Sequence, residues 1–219
     1  MSRRDINLIP ELDDYTQAHS TRTDDLLAEL ADETRASLPS NAQMQISAIQ
    51  SKFLTMLARS LKVTRAVEIG TFTGMSSLSI ARGMAEGGRL VCFDISEEFT
   101  SVARKYWERA GVADRIELRI GDAKEILGDF DPAPELDLCF IDADKTGYLT
   151  YWAELSKRMR PGGIIVVDNV FQGGRIIDEA EQGANVVAMR EFNRVVADDE
   201  RFDVVMLPIS DGLTLAQRR

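Results

Sequence analysis

Two apolar runs that each end in an acidic residue decide the fold: LDLCFID at residues 136–142 and IIVVDN at residues 164–169. Each run has the length and composition of a buried strand. Between them, residues 148–159 are patterned like a helix, and Pro161-Gly162-Gly163 predict a turn. A right-handed strand-helix-strand unit makes its two strands parallel neighbours. The two terminal aspartates are therefore expected at the same edge of one sheet.

The polar residues that end the two runs are Asp142, Asp168 and Asn169. Open α/β sheets bind ligands beyond the carboxyl ends of their strands, which is where these side chains would meet. Hard divalent cations take oxygen ligands such as carboxylates and amide carbonyls. The residues alone therefore indicate a divalent-cation site, with a ligand pocket beside it at the same edge.

Strands and helices alternate through the rest of the chain from residue 65 onward. Further strands are predicted at 66–69, 90–93 and 116–120, and further helices at 75–84, 96–110, 123–127 and 186–196. Such alternation is typical of a mostly parallel sheet with helices on both faces. The final strands at 202–207 and 213–216 are separated by a short loop, which requires an antiparallel hairpin. We therefore predict an α/β fold with a Rossmann-like seven-stranded sheet whose last strand runs against the others.

The first sixty residues precede the first strand and are predicted to form three helices, at about 12–19, 23–37 and 43–61. The third helix would carry Ile46 on one apolar face with residues 49, 53, 54 and 57. No Ser/Gly/Pro-rich linker divides the 219 residues. We therefore predict one domain over 1–219, made of an N-terminal helical cap at 1–62 and an α/β core at 63–219.

Composition excludes several classes of function. The net charge of −10 repels a phosphate backbone, so nucleic acid is not an expected partner. No apolar stretch approaches the roughly 18 residues that a membrane helix needs. No apolar segment follows the arginines of residues 1–5, so a secretory signal is not supported and the cytoplasm is expected. The only histidine, His19, lies outside the predicted sheet, which removes the usual general base and zinc ligand. Cys92 and Cys139 fall inside predicted buried strands and indicate neither a disulfide nor a zinc site.

A turn with two glycines follows the first predicted strand, with the sequence EIGTFTGMS at residues 68–76. Backbone N–H groups of such a turn can approach a ligand closely, and Ser76 adds a hydroxyl. The dinucleotide fingerprint is absent, because Phe72 and Met75 stand where it requires its second and third glycines. A pyrophosphate cradle is therefore disfavoured.

Two further strand ends complete the predicted cofactor pocket. Asp94 ends the second strand, where an acidic side chain commonly grips a ribose diol, and residues 121–123 end the third, where a base would be walled in. A cofactor with a ribose, a base and a third group that contains no phosphate is indicated, and S-adenosylmethionine has this composition. Each residue also has a structural interpretation: Gly70 and Gly74 permit a tight turn, Asp94 caps a helix, and Glu68 is a surface charge. A cofactor site better explains all of them together at successive strand ends.

Four segments together resemble the cation-dependent O-methyltransferases, the caffeoyl-coenzyme A and catechol O-methyltransferase group. They are EIGTFTGMS at 68–76, IDADK at 141–145, VDN at 167–169 and LPISDGLT at 207–214. The similarity runs from about residue 43 to the C-terminus. The glycine turn alone would indicate a class I methyltransferase, whereas the two aspartate segments indicate the metal-dependent branch. The resemblance therefore implies a class I methyltransferase sheet with added N-terminal helices.

The resemblance implies a role for residues in both halves of the site. The cofactor would be lined by Ile46, Glu68, Gly70, Ser76, Asp94, Ala123 and Asp144. Asp142, Asp168 and Asn169 would hold one divalent cation, with Mg²⁺ favoured and Ca²⁺ or Mn²⁺ as alternatives. Met44 and Phe171 would contact an aromatic substrate, with Tyr148, Tyr151 and Trp152 as further candidates. Ile46 and Met44 have the alternative role of core residues in an amphipathic helix, and Tyr151 and Trp152 that of packing their helix onto the sheet.

The implied reaction is direct methyl transfer to a vicinal-dihydroxy, catechol-type aromatic small molecule. A free phenol has a pKa of about 10, and a cation lowers it, so that a metal-bound phenolate can attack the sulfonium methyl. Lys145 lies three residues after Asp142 and would accept the phenolic proton as general base, although it could instead be a surface lysine that begins the next helix. By the same resemblance, the N-terminal helices would form a homodimer contact and a lid.

Three alternatives stay open at this point. A caffeoyl-coenzyme A-type ester is disfavoured as substrate, because VFQGG at 170–174 departs from the plant enzymes, which typically have a tryptophan and an asparagine before a glycine there. A nicotinamide-dependent Rossmann oxidoreductase is disfavoured by the missing glycines. An acidic interaction module without turnover would need a broken metal or lysine motif, yet Asp142, Lys145, Asp168 and Asn169 are all present.

Overall fold

The computed structural model describes residues 10–130 and 135–219. Within them, a sheet of seven strands has the order β3-β2-β1-β4-β5-β7-β6, and β7 alone is antiparallel to its neighbours. The strands are β1 (Arg65–Ile69), β2 (Arg89–Asp94), β3 (Ile116–Ile120), β4 (Leu136–Ile141), β5 (Met159–Asp168), β6 (Phe202–Leu207) and β7 (Leu213–Arg218). The predicted seven-stranded α/β sheet and its antiparallel last strand are confirmed.

Helices cover both faces of this sheet. The helices of the described residues are α1 (Pro10–Ala18), α2 (Asp25–Ser37), α3 (Ala48–Ser60), α4 (Met75–Gly83), α5 (Glu97–Arg109), α6 (Ala123–Ile126), α7 (Tyr148–Ser156) and α8 (Ala184–Ala197), and those from α2 onward supply the buried residues on the two faces. No helix of the described residues combines the length and apolarity needed to cross a membrane. Residues 1–9, which include the charged start used for the cytoplasmic prediction, lie outside the described residues.

The alternation of side chains along the strands divides the core between the two faces. Leu138 and Phe140 of β4 pack with residues of α2 to α5, whereas Cys139 and Ile141 pack with residues of α6 to α8. Every residue of β4 is buried, as expected of a central parallel strand. The central strands β1, β4 and β5 are thus held rigidly, and so are the loops at their carboxyl ends.

The predicted helix over 43–61 is wrong as a single element. A short 3₁₀ turn at Ala42–Met44 is followed by extended backbone, and α3 begins only at Ala48. Ser47 caps α3: its hydroxyl accepts from the Gln50 N–H at 3.2 Å, while the Gln50 side chain accepts from the Ser47 N–H at 2.9 Å. This capping box interrupts the helix, because Ser47 must be extended to make it. Ile46 therefore lies outside any helix.

The predicted turn at Pro161-Gly162-Gly163 lies inside β5, which begins at Met159 rather than at residue 164. The pairing of β4 with β5 shifts there, since Leu136 pairs with Met159 but Leu138 pairs with Ile164. Gly162 has a φ of +78°, which a residue with a side chain adopts only with strain. The segment therefore interrupts the regular pairing of β5 with β4, and a strand tolerates proline at such an irregularity.

Candidate active site

A cavity of about 890 Å³ opens at the carboxyl ends of β1, β2, β4 and β5, and the segment before α3 forms one of its walls. Most residues predicted for the cofactor, metal and substrate line it together: Met44, Ile46, Gly70, Ser76, Asp94, Ala123, Asp142, Asp144, Lys145, Asp168 and Asn169. The break before α3 explains how Met44 and Ile46 reach this wall. The structure thus joins the two predicted half-sites in one space.

Oxygen atoms from the ends of β4 and β5 converge on one cationic group. The Lys145 ammonium lies 3.0 Å from Asp142 Oδ1 and 2.6 Å from Asn169 Oδ1. No three His, Cys, Asp and Glu side chains of the described residues form a metal cluster, and the predicted set combines two aspartates with the amide of Asn169. One carboxylate and one amide oxygen thus contact a single positive charge, and the Asp168 carboxylate is close enough for the charges of Asp142 and Lys145 to shift its pKa, a set of oxygen donors that fits a hard divalent cation.

Asp168 is the most deeply buried of these donors, with 2% of its surface exposed. Burial, together with the charge of Asp142, raises its pKa to about 7. Two hydrogen bonds oppose that rise: Oδ1 accepts from the Asn169 N–H at 2.6 Å, and Oδ2 accepts from Gln50 Nε2 at 2.8 Å. A nearby cation would favour the ionised form, which is the form that binds metal.

Lys145 is held in place by more than the two metal-side residues. Its ammonium donates to the Tyr148 hydroxyl at 2.7 Å, and Tyr148 donates to the Asp168 carbonyl at 3.2 Å. Burial, then the charge of Asp142, raises the pKa of Tyr148 well above its usual value, so this phenol stays protonated. With 14% of its side chain exposed, Lys145 is not the surface lysine of the alternative interpretation.

The glycine turn brings β1 against β4 at the floor of the cavity. Gly70 has a φ of +89°, and a Cβ there would lie 2.0 Å from the Asp142 carbonyl oxygen. At Gly74, a Cβ would lie 2.6 Å from the Ala103 Cβ, where α4 packs on α5. Neither position accepts a side chain without movement of the backbone. Gly70 therefore allows the glycine turn to lie close to Asp142 at the end of β4.

Asp94 has a role that its position in the sequence did not reveal. Its Oδ2 accepts from the N–H groups of Thr71 and Phe72, each at 2.8 Å, and its Oδ1 accepts from the Ser96 N–H at 2.8 Å. Ser96, rather than Asp94, caps α5. Asp94 therefore shapes the glycine turn while it lines the cavity.

Glu68 is neither a surface charge nor part of the cavity wall, which corrects both interpretations of this residue. Its side chain is completely buried under the turn, and neither carboxyl oxygen has a hydrogen-bond partner of normal geometry among the described residues. Burial raises its pKa to about 7, although Ser76, Cys92 and Thr71 nearby oppose part of the rise. Glu68 therefore lies next to Thr71 and Ser76 of the turn and does not line the cavity.

Asp144 and Tyr151 form the wall opposite the glycine turn, next to Ala123. The Tyr151 hydroxyl donates to Asp144 Oδ1 at 2.5 Å, and Lys124 Nζ donates to Oδ2 at 3.1 Å. Partial burial would raise the pKa of Asp144, but these hydrogen bonds outweigh it and hold that pKa below its usual value. Asp144 is therefore a fixed anionic acceptor at this end of the cavity.

Phe171 is the predicted substrate contact that the structure does not bring to the wall. Its ring packs against the core on the α6 to α8 face, and a Cβ on Gly212 would lie 2.6 Å from it. The absence of a side chain at Gly212 lets the ring turn inward. Tyr148 and Trp152 do not line the cavity either, so only Tyr151 of the aromatic candidates does. The sequence interpretation missed Gln50, for which the S-x-x-Q capping signal was the available clue.

Comparisons with known proteins cover nearly the whole chain. A family model described as O-methyltransferase matches residues 17–219. "Probable caffeoyl-CoA O-methyltransferase 1" of Dictyostelium discoideum is 40% identical over 208 residues, which are 93% of this chain and 90% of that protein. Catechol O-methyltransferase of Mycobacterium tuberculosis is 38% identical over 213 residues, 94% of each. The crystal structure of the O-methyltransferase TomG from Streptomyces achromogenes in complex with SAM has a TM-score of 0.85 and 33% identity, and covers 95% of this chain and 96% of that chain.

Proposed function

This chain belongs to the O-methyltransferase family, and we propose that it methylates one hydroxyl of a catechol-type aromatic diol with S-adenosylmethionine and a divalent cation. The enzyme class follows from the family, whereas substrate, metal and mechanism are proposals. The observation that carries them is the convergence of Asp142 and Asn169 oxygens on Lys145, in the same cavity as the glycine turn.

The cofactor half of the cavity supports S-adenosylmethionine. Bound there, this cofactor supplies an electrophilic methyl group on a sulfonium sulfur. Gly70 keeps the turn close to β4, Asp94 offers a carboxylate for a ribose, and Asp144 with Ala123 offers a wall for a base. The similar TomG structure holds SAM. The nicotinamide alternative lacks such support, because the turn has no second and third fingerprint glycines.

The metal half fits Mg²⁺, with Ca²⁺ or Mn²⁺ as alternatives, held by Asp142, Asp168 and Asn169. A divalent cation held by these residues would supply positive charge that lowers the pKa of a phenolic hydroxyl. Lys145 would act as general base only as the neutral amine: it would accept the phenolic proton at Nζ and become the ammonium, with Asp142, Asn169 and Tyr148 fixing the position of that nitrogen. The strand ends would contribute by holding the substrate and the cofactor in a fixed relative position, which is a main source of acceleration in such reactions.

The charge of the cavity supports a free diol over a coenzyme A ester. The described wall contains six acidic residues and only two basic ones, Lys124 and Lys145, and Lys124 is already paired with Asp144. A substrate that carries phosphate groups would meet repulsion rather than ion pairs there. The proposed substrate is therefore a small neutral or cationic molecule with a vicinal diphenol.

Methyl transfer to a panel of catechols and to caffeoyl-coenzyme A tests this proposal, with Mg²⁺, Ca²⁺, Mn²⁺ or a chelator present. We expect turnover of a free catechol with added metal and loss of turnover after chelation. Lys145→Met should lower kcat by roughly 10²-fold and leave S-adenosylhomocysteine affinity unchanged. Lys157→Met removes an exposed lysine and is the matched control. Full turnover after exhaustive chelation would refute the metal role, and binding of NAD instead of S-adenosylhomocysteine would refute the cofactor.

A further inference from the structure

We propose that Gln50 is a positioning residue that holds the Asp168 carboxylate and links it to the N-terminal wall of the cavity. This wall is the segment 43–47, which lines the cavity directly before α3. The inference rests on the proposed function, because it assigns Asp168 to the cation. It adds a coupling between that cation and a part of the chain more than a hundred residues away in sequence.

The side-chain amide of Gln50 bridges two groups that have no other direct link. Its Oε1 accepts from the Ser47 N–H at 2.9 Å, and its Nε2 donates to Asp168 Oδ2 at 2.8 Å. Ser47 also makes a hydroxyl-hydroxyl hydrogen bond of 2.9 Å with Ser210, which lies across the cavity mouth. A path of hydrogen bonds therefore runs from the metal side, through one amide, to the cap of α3.

The direction of each hydrogen bond identifies the orientation of the amide. The Ser47 N–H can only donate, so the oxygen of the amide must face Ser47. The NH₂ group then faces Asp168, whose oxygens accept when the carboxylate is ionised. Glutamate at this position would keep the acceptor for Ser47 but would lose the donor to Asp168. The structure thus uses both the acceptor oxygen and the donor NH₂ group of the Gln50 amide, whereas an ionised carboxylate has no donor.

Burial makes this bond difficult to replace with water. Gln50 is 3% exposed and Asp168 is 2% exposed. Asp168 has its Oδ1 held by the Asn169 N–H and its Oδ2 held by Gln50, so the two donors together fix the plane of the carboxylate. Partners that orient a metal ligand in this way commonly change metal affinity by roughly 10–100-fold when they are removed.

Capping of α3 alone would also explain part of this geometry. The capping role and the positioning of Asp168 can be distinguished, because they use different atoms of Gln50. The cap uses Oε1 of Gln50 and the hydroxyl of Ser47, whereas the contact with Asp168 uses only Nε2. Ser47→Ala removes the hydroxyl of the cap and leaves the contact with Asp168 intact. Gln50→Met, of similar length, removes both. Ser47→Ala is therefore the matched control for Gln50→Met.

The test is calorimetric titration of the full chain with Mg²⁺ alone, combined with hydrogen exchange of the amides of residues 43–51. We expect Gln50→Met to weaken Mg²⁺ binding at least tenfold and Ser47→Ala to change it less than about twofold. In the wild-type chain, Mg²⁺ should slow exchange in this segment, and the variant Gln50→Met should lose that protection.

Three results would overturn the inference. Equal Mg²⁺ affinities for wild type and Gln50→Met would show that Gln50 only caps α3. Unchanged exchange at 43–51 on Mg²⁺ binding to the wild type would remove the coupling, and this comparison needs no variant to fold. No Mg²⁺ binding by the wild type would instead refute the proposed metal role, on which the inference depends.

Discussion

Asp137 and Asp168 are both buried aspartates, on the neighbouring strands β4 and β5, but they lie at opposite edges of the sheet. Asp137 accepts four hydrogen bonds, three on Oδ2 from the backbone N–H and hydroxyl of Thr64 and the N–H of Arg65, and one on Oδ1 from Arg160. Burial alone would raise its pKa, but these donors outweigh burial and hold that pKa below its usual value.

Asp168 has fewer donors and a like charge beside it. Its oxygens accept from Asn169 and Gln50, while Asp142 adds negative charge, and burial raises its pKa to about 7. The difference teaches that burial does not decide the role of an aspartate here. Four donors make Asp137 a structural link between strands, whereas Asp168, with two donors and a like charge beside it, has the environment that the proposed cation site requires.

The largest expected effect is the loss of turnover when the charge of Asp168 is removed. Asp168→Asn should lower kcat by roughly 10³-fold, about 4 kcal/mol in the activation free energy, because the substituted amide removes a charged ligand. The free energy of unfolding should fall little or rise, since a buried charge is removed. Steady-state kinetics with saturating Mg²⁺, together with urea unfolding, measures both. Unchanged kcat would remove Asp168 from the proposed site.

For Asp137, at the opposite ends of the strands, we expect a loss of stability with little change in turnover. Asp137→Asn should lower the free energy of unfolding by about 3 kcal/mol, because the amide cannot accept from all four donors and leaves Arg160 unpaired. At a temperature where the variant is folded, kcat and KM should stay within about twofold of the wild-type values. A selective loss of kcat without loss of stability would show that the two edges do not differ as described.

The smallest effect comes from Glu68, the second buried carboxyl with a raised pKa. A carboxyl whose folded-state pKa of about 7 exceeds its ordinary value of 4.5 stabilises the fold at low pH, and this contribution is lost as pH rises towards 7. Glu68→Gln should therefore match the wild type in stability near pH 4 and be more stable at pH 8, by on the order of 2 kcal/mol. Urea unfolding at both pH values checks the sign. A constant difference across pH would show that Glu68 does not titrate in this range.

The sheet, and the meeting of Asp142, Asp168 and Asn169 at one end of it, could be predicted from the sequence because they depend on local patterns; the binding of a metal there stays a prediction. Apolar runs gave the strands, and the position of an aspartate at a strand end gave its edge. The break before α3 was missed because the apolar spacing continues across it, from Ile46 to residue 57. Only the pairing of Ser47 with Gln50 marked the true start of the helix.

Other features depend on contacts between distant segments, which one sequence does not encode locally. Whether Glu68 is buried depends on how β2 packs beside β1, and whether Phe171 faces the cavity depends on the missing side chain at Gly212. The same holds for Gln50, whose partner Asp168 is on the last parallel strand. The homodimer expected from the N-terminal helices stays a prediction.

The most direct test of the proposed cation site is calorimetric titration of wild type, Asp137→Asn and Asp168→Asn with Mg²⁺. It asks whether the cation binds at Asp168, which has only two hydrogen-bond donors, and not at Asp137, which has four. One ion should bind to the wild type and to Asp137→Asn with equal affinity, and none should bind to Asp168→Asn at the same concentrations. Binding of Mg²⁺ to Asp168→Asn with the wild-type affinity, or no binding to the wild type, would contradict the proposed site.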